Sequence, residues 1–290
     1  MILCKSKDEG DALNMKIAKV FFVCFLFLTG LTQCGREIPI EKTMKQEAQK
    51  ESESTFKVVF TEDIINKEEK KAFLTFDDGP SPNVTLNILD ILNRNQIKAT
   101  FFVIGNRVEA YPYILKELVN HKMSICIHTY DHNYEAIYRN PETYIRDVKK
   151  CEQVLSKYMN KPVSKYIRMP GGSVKEPSKE AMMRRIRKVT VDNNYKYVDW
   201  NVSTGDSLGK NVPIHVIKKN LVTECKGKKY AVILMHDSAY KDTTIKALPD
   251  IIEYLRKEGY TFYSFDELTE EDEKILLEEG VINKRMNRRK

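Results

Sequence analysis

The sequence predicts one α/β domain built as a closed or nearly closed (β/α)7-type barrel, and three observations carry that expectation. Short apolar runs alternate with stretches of helical periodicity from Lys70 to Leu268. Each gap between runs is long enough for a helix, so neighbouring strands can run parallel through helical crossovers. Chemistry-capable residues recur where the runs end, and in a parallel barrel those carboxyl ends share one face.

The elements follow in order. KAFLTF (71 to 76) reads as a buried strand, and after the DDGPSP turn Val84, Ile88, Leu89, Ile91 and Leu92 fall at helical spacing. ATFFVIG is the next strand, and Ile114, Leu115 and Leu118 mark the helix after it. MSICIH, YIRMPG, KYVDWNV, YAVILMH and YTFYSF continue the alternation, giving seven strands in all. A doubly wound open sheet is the alternative.

Composition narrows the function classes. With 42% hydrophobic residues in a chain of 290, the core is substantial. The net charge of +7 is a small excess of 48 basic over 41 acidic side chains, which is no nucleic-acid footprint. An anionic envelope polymer is the better partner, and no nucleic acid is expected. The six cysteines include no C-x-x-C pair, so neither a disulfide framework nor a zinc knuckle is expected. Cys126 and Cys151 read as small buried hydrophobes.

Both ends look different from the body. Val20 to Leu28 is unbroken apolar sequence after Lys16 and Lys19, too short for a comfortable membrane span. It reads as a secretory signal if translation starts at Met15, with residues 1 to 14 as an extension. Leu-Thr-Gln-Cys34 resembles a lipoprotein processing box, although Gln33 stands where a small residue is usual. Cleavage, lipidation at Cys34 and a retained membrane anchor stay open, and each implies an extracytoplasmic location. Residues 1 to 34 are thus read as a signal or anchor, 35 to 69 as a polar linker, 70 to 268 as the catalytic domain and 269 to 290 as a charged, solvated tail with a short helix.

The motifs carry the chemistry. Asp77 and Asp78 adjoin at a strand exit, where their mutual repulsion calls for a nearby cation; a solvated turn is the plain alternative. His128 and His132 are four apart, which lets both reach one metal if the second lies on a following helical turn, though an isolated H-x-x-x-H can be coincidence. With Asp78 they make the three-ligand open site of a catalytic divalent ion. Arg168 in RMPGG and His236 in LMHD are weaker alone, since a strand-end arginine can be a structural ion pair and such a histidine a satisfied core residue.

Taken in order, TFDDG, HTYDH, RMPGG, WNVSTGDS and LMHD resemble the polysaccharide deacetylases, the NodB homology domain of carbohydrate esterase family 4, over residues 70 to 268. The resemblance implies a distorted (β/α)7 barrel that removes N-acetyl groups from cell-wall glycan, peptidoglycan N-acetylglucosamine first. It implies Asp77 as general base, and Asp78, His128 and His132 as ligands of a divalent ion, zinc first, with cobalt, nickel and manganese as alternatives. It further implies that Arg168 holds Asp77, Asp206 pairs with the general acid His236, the Gly171 N–H serves the oxyanion, and Leu234 and Trp200 line the acetyl pocket. Gly171 stands where many relatives carry an aromatic residue, and Ser207 where many carry tryptophan. The competing readings are a non-catalytic carbohydrate-binding relative and a hydrolase of chitin-type oligomers or sugar O-acetyl esters.

Overall fold

A computed structural model of the chain describes residues 69–174 and 177–284. The signal or anchor segment, Cys34, the linker and the basic tip beyond 284 lie outside the described residues, and nothing further is said of them.

Strand β1, Lys70–Asp77, is the centre of the sheet. It pairs in parallel with β2, Thr100–Val103, through its upper half, and along its length with β7, Tyr230–His236. Beyond β2 follow β3 (Ser124–Ile127), β4 (Tyr166–Ile167) and β5 (Lys196–Tyr197), and beyond β7 comes β6 (Val202–Ser203). The short strand β8, Tyr260–Phe262, pairs with the lower end of β1. All these pairings are parallel, and the sheet curls into the distorted (β/α)7-type barrel expected from the alternation.

The fifth apolar run is not one strand. KYVDWNV splits into β5 and β6, which lie at opposite edges of the sheet. The intervening Val198 to Asn201 crosses the barrel's open seam. There Val198 pairs antiparallel with Ile282, and the Asp199 N–H donates to the Val281 carbonyl at 2.8 Å. Edge backbone that would otherwise be unpaired is thereby satisfied.

Helices line the outside. Among them α1 (Thr85–Arg94) buries Ile88, Leu89 and Leu92, and α2 and α3 (Gly105–Ala110, Pro112–Asn120) follow β2. After the single turn α4 (Tyr134–Ile137), α5 spans Pro141–Ser156, started by an Asn140 side chain that accepts from the Thr143 N–H at 2.8 Å and by proline at the first position. α6 (Glu180–Asp192), α7 (Ile214–Cys225) and α8 (Asp242–Lys257) complete the layer. In α8 Thr244, Ala247, Leu248, Ile251, Ile252 and Leu255 form one buried stripe at three- and four-residue spacing. Each such leucine or isoleucine contributes about 1.5–3 kcal/mol by burial.

The period of two along the strands sorts side chains into two cores. Ala231, Ile233 and Met235 face the helices, with Leu74, Phe76, Phe101 and Cys151 in the same cluster. Phe73, Phe102, Cys126 and Val232 face the barrel interior. The segment expected to be solvated tail completes that interior: α9, Glu270–Glu278, supplies Leu276, and Val281 and Ile282 follow it into the same cluster. Charge counting missed this because the apolar residues of TEEDEKILLEEGVI are few, yet Leu276, Val281 and Ile282 among them point inward. Asp272 of α9 is buried and accepts from Lys71 at 2.8 Å and from the Tyr230 hydroxyl at 2.8 Å, which locks the helix against the lower rim. No helix among the described residues is long and apolar enough to cross a membrane.

Candidate active site at the barrel mouth

The parallel register stacks β1 and β7 in matching layers: Phe73 beside Val232, Thr75 beside Leu234, and Asp77 beside His236. The lowest pair is part of the apolar plug, the middle pair is transitional, and the top pair opens the site. Cys126 and His128 follow the same inward alternation on β3 and just beyond it. Burial pushes the Cys126 thiol up to about 12, so it is a packing group below the site rather than a nucleophile.

Asp77 is nearly fully buried, and its Oδ1 accepts from the Arg168 guanidinium at 2.8 Å. Arg168 is the largest fully buried side chain among the described residues, and each of its three nitrogens donates. It also donates to Thr75 Oγ1 (2.7 Å), the Val198 carbonyl (3.2 Å) and the Asp199 carbonyl (3.1 Å), and it lies 4.1 Å from the Phe102 ring centroid. The cation demanded by the adjacent carboxylates is therefore built into the core, and it serves Asp77.

Asp78 turns away from Asp77 through a left-handed backbone with φ 75°. Its Oδ1 lies 3.3 Å from His128 Nε2 and 3.1 Å from His132 Nε2. Burial alone would raise its pKa, but hydrogen bonds with both imidazoles, and the fields of His128 and His236, hold the carboxyl far below the usual range. Gly79 is required beside it, because a methyl group there would lie 2.1 Å from Asp237 Oδ2. Asp237 is itself buried, accepts from the Thr85 hydroxyl at 2.6 Å and is pushed up to about 7 by desolvation.

His132 reaches His128 by a route the spacing did not predict. No helical turn links them; α4 begins only at Tyr134, and Thr129 and His132 both take positive φ, 67° and 56°. The loop backbone is strained at two non-glycine residues, as functional loops often are. His128 Nδ1 lies 2.8 Å from the Arg168 carbonyl, which can only accept, so Nδ1 donates there and Nε2 is the ring atom turned toward Asp78 and His132.

This trio fits a divalent metal ion. One ligand atom from each of Asp78, His128 and His132 lies within 4.8 Å of the others. Ligands at roughly 2.0–2.1 Å in a tetrahedral arrangement are separated by roughly 3.3 Å, close to the two distances above. Two neutral nitrogens and one carboxylate leave coordination positions open, as in catalytic rather than structural sites. Asp77 Oδ2 stands just outside the trio, 3.9 Å from His128 Nε2.

On the neighbouring strand, in register with Asp77, is His236. Its Nδ1 lies 2.8 Å from Asp206 Oδ1, and its backbone N–H donates to Asp206 Oδ2 at 2.8 Å. Asp206 is buried and also accepts from the Thr244 hydroxyl at 2.9 Å. Burial works against the imidazolium, but the Asp206 hydrogen bond and charge, helped by Asp77 and Asp78, raise the His236 pKa to about 9.

The remaining sequence candidates surround this centre. Gly171 lies at the exposed rim with φ 71°, and its N–H has no partner among the described residues. Leu234 is buried in the layer below His236 without joining either apolar cluster. Trp200 lies under the RMPGG loop, 5.8 Å from the Arg168 guanidinium and against Gly172, where a Cβ would come within 3.1 Å of the indole. Ser207 is exposed.

Several supporting residues escaped the motif reading. Asp199, at the seam, accepts from the Ser173 N–H (2.8 Å) and hydroxyl (2.6 Å), while Arg187 of α6 donates to the Ser173 carbonyl at 2.7 Å. Together they clamp the loop that carries Gly171. Lys241 is buried and donates to the Asp206 carbonyl (2.9 Å) and the Gly209 carbonyl (3.0 Å). The only sequence signal for these was polar residues beside apolar runs, which is too common to select them.

Comparisons with known proteins agree with this geometry. The family model for polysaccharide deacetylase matches residues 65–197. A peptidoglycan-N-acetylglucosamine deacetylase of Bacillus cereus is 31% identical over 205 residues, covering 69% of this chain and 71% of that protein. The catalytic domain of a peptidoglycan N-acetylglucosamine deacetylase from Eubacterium rectale superposes with TM-score 0.63 at 30% identity, over 71% of this chain and 91% of that one. A polysaccharide deacetylase from Bacillus cereus gives TM-score 0.60 at 30% identity, over 69% and 93%. On this evidence the chain belongs to the polysaccharide deacetylase family, the NodB or carbohydrate esterase 4 domain.

Proposed function

We propose that the protein removes acetyl groups from N-acetylglucosamine residues of peptidoglycan, with a single divalent ion, zinc first, held by Asp78, His128 and His132. The observation that carries this reading is the gathering of two differently anchored groups in one strand-end layer beside a metal-binding trio: an arginine-anchored carboxylate, Asp77, and a carboxylate-anchored imidazole, His236. A divalent ion in such a site supplies Lewis acidity toward the acetamide carbonyl and lowers the pKa of water.

The chain's own residues do the rest. Asp77, held in orientation by Arg168, accepts the proton from the attacking water. His236 gives a proton to the departing sugar amine from Nε2, because Asp206 holds its Nδ1–H. The Gly171 N–H donates to the developing oxyanion, a contribution of about 3 kcal/mol for a preorganised donor. Leu234 offers an apolar wall to the acetyl methyl group. Location outside the cytoplasmic membrane, through the signal or anchor segment, is part of the same proposal because the substrate lies there.

The imidazolium is the working form, so the sign of the pH effect follows. With the folded pKa raised to about 9, His236 remains protonated through neutral pH and loses its proton as pH rises through that value. Asp206→Asn removes the group that raises it and is expected to move the alkaline limb of kcat toward acid by about one to two pH units. A bound dication lowers both limbs' origin alike, so the difference between the two enzymes is the quantity to read. Coincident limbs would exclude His236 as the acid.

The function itself is tested by mass spectrometry of peptidoglycan fragments incubated with the metal-loaded, full-length chain. Loss of acetyl mass from glucosamine residues is the expected result. Release only from ester-linked acetyl groups would favour the O-acetyl esterase reading, and binding without release would favour the non-catalytic one. The positions of Asp77, Asp78, His128, His132 and His236 support the first outcome.

A further inference from the structure

The loop after His236 and the turn after Asp206 meet at the rim and present three exposed side chains. Leu208 is 81% exposed and Tyr240 65%, and the Lys210 ammonium lies 5.1 Å from the centroid of the Tyr240 ring. A lone exposed leucine means little. These three differ because the backbone that carries them is fixed on both sides. Lys241 ties its own loop to the Asp206 and Gly209 carbonyls at 2.9 and 3.0 Å. From the other side the Asn83 amide donates to the Ala239 carbonyl at 2.6 Å, and the Ser81 hydroxyl to the Asp237 carbonyl at 2.6 Å. The backbone that presents these groups is therefore tied down, not a loose loop, which lowers the entropic cost of binding.

Their place relative to the chemistry sets what they can touch. Leu208 is two residues from Asp206, and Tyr240 four from His236, so the patch borders the side where the amine leaves. A flat aromatic face and a leucine suit the apolar C–H face of a pyranose ring. The cation beside them suits a carboxylate. We propose that Leu208, Lys210 and Tyr240 form a neighbouring-sugar subsite that takes the ring adjoining the deacetylated one and recognises a lactyl carboxylate on it. The proposal rests on the deacetylase reading above for its orientation. It divides two glycans that the catalytic residues alone do not: alternating cell-wall strands whose lactyl groups are free of peptide carry that carboxylate, and chitin-type oligomers do not.

The test measures dissociation constants of the full-length chain for three tetrasaccharides. One is an alternating cell-wall tetrasaccharide with free lactyl carboxylates, the second is the same compound with those groups converted to neutral methylamides, and the third is tetra-N-acetylchitotetraose. Wild type is expected to prefer the acidic compound. Lys210→Ala is expected to weaken only that compound, about three- to fivefold, as for a solvent-exposed ion pair. Lys210→Glu should weaken it further, and Tyr240→Ala should weaken all three. Equal binding of the acidic and methylamide forms by wild type, or equal effects of Lys210→Ala on both, overturns the proposal. Acetate release is read in parallel: turnover without charge discrimination removes the subsite and keeps the deacetylase, whereas Lys210-dependent binding without turnover keeps the subsite and removes the deacetylase.

Discussion

His128→Ala is expected to abolish both stoichiometric metal binding and acetate release, with activity lower by about a thousandfold or more, since Lewis-acid assistance is worth several kcal/mol. The effect is large because His128 is the most constrained of the three candidate ligands. It is almost fully buried, and its Nδ1 is pinned by the Arg168 carbonyl, so no neighbour can rotate into its place. The same burial carries a stability cost: alanine leaves that carbonyl without its donor, about 1–3 kcal/mol, and opens a cavity. His132→Ala separates the two effects. Its side chain is on the rim and about a quarter exposed, so loss of metal and activity should come there with little loss of stability. Acetate release by either variant at the wild-type rate, with metal contents measured on the same samples, would remove the trio from the mechanism.

The second large effect is expected at Asp77. Asp77→Asn should keep the metal, because the three ligands are untouched, while kcat falls by about 10²- to 10⁴-fold, the usual range for a lost general base. The Arg168 guanidinium then loses its one carboxylate partner among the described residues in a fully buried position, and breaking such a pair costs up to about 3–5 kcal/mol. Thr75, Val198 and Asp199 still accept from it, which moderates the loss. Thermal unfolding and metal content must therefore be measured beside kcat. Normal turnover in a metal-replete Asp77→Asn protein would require a different base.

The contrast between the two neighbouring aspartates gives each a separate role in the proposed mechanism. One backbone residue with positive φ sends their carboxylates to different partners: Asp77 to a guanidinium in the core, Asp78 to two imidazoles at the mouth. Neither arrangement could be exchanged for the other, since Arg168 cannot reach a group that turns out of the barrel.

Much of this was legible in the chain before any coordinates. Buried strands such as KAFLTF and YAVILMH are short unbroken apolar runs bounded by charged residues, which marks them locally, and the residues that end them had to share a face once the strands were parallel. The register Asp77 to His236 is a direct consequence. What the sequence did not reveal depends on long-range pairing. KYVDWNV reads as one strand because local pattern cannot show that its halves join opposite edges of a seam. The connection from His128 to His132 depends on two left-handed residues that are not glycine, so no composition signal marks it. The C-terminal segment looks solvated because Leu276, Val281 and Ile282 are sparse among charges, although they close the barrel floor. Lys241, Thr244, Asp199 and Arg187 act through carbonyls and carboxylates far away in sequence, and only the fold brings them there.

The central claim is that one divalent ion, shared by Asp78, His128 and His132, is needed for deacetylation. It is tested most directly by stripping the full-length chain with a chelator and titrating a divalent ion back while acetate release from peptidoglycan is followed. Activity should vanish on stripping and return in proportion to bound metal, reaching its maximum at one equivalent per chain. A stripped protein that releases acetate at the original rate, or a return of activity unrelated to that first equivalent, would contradict it.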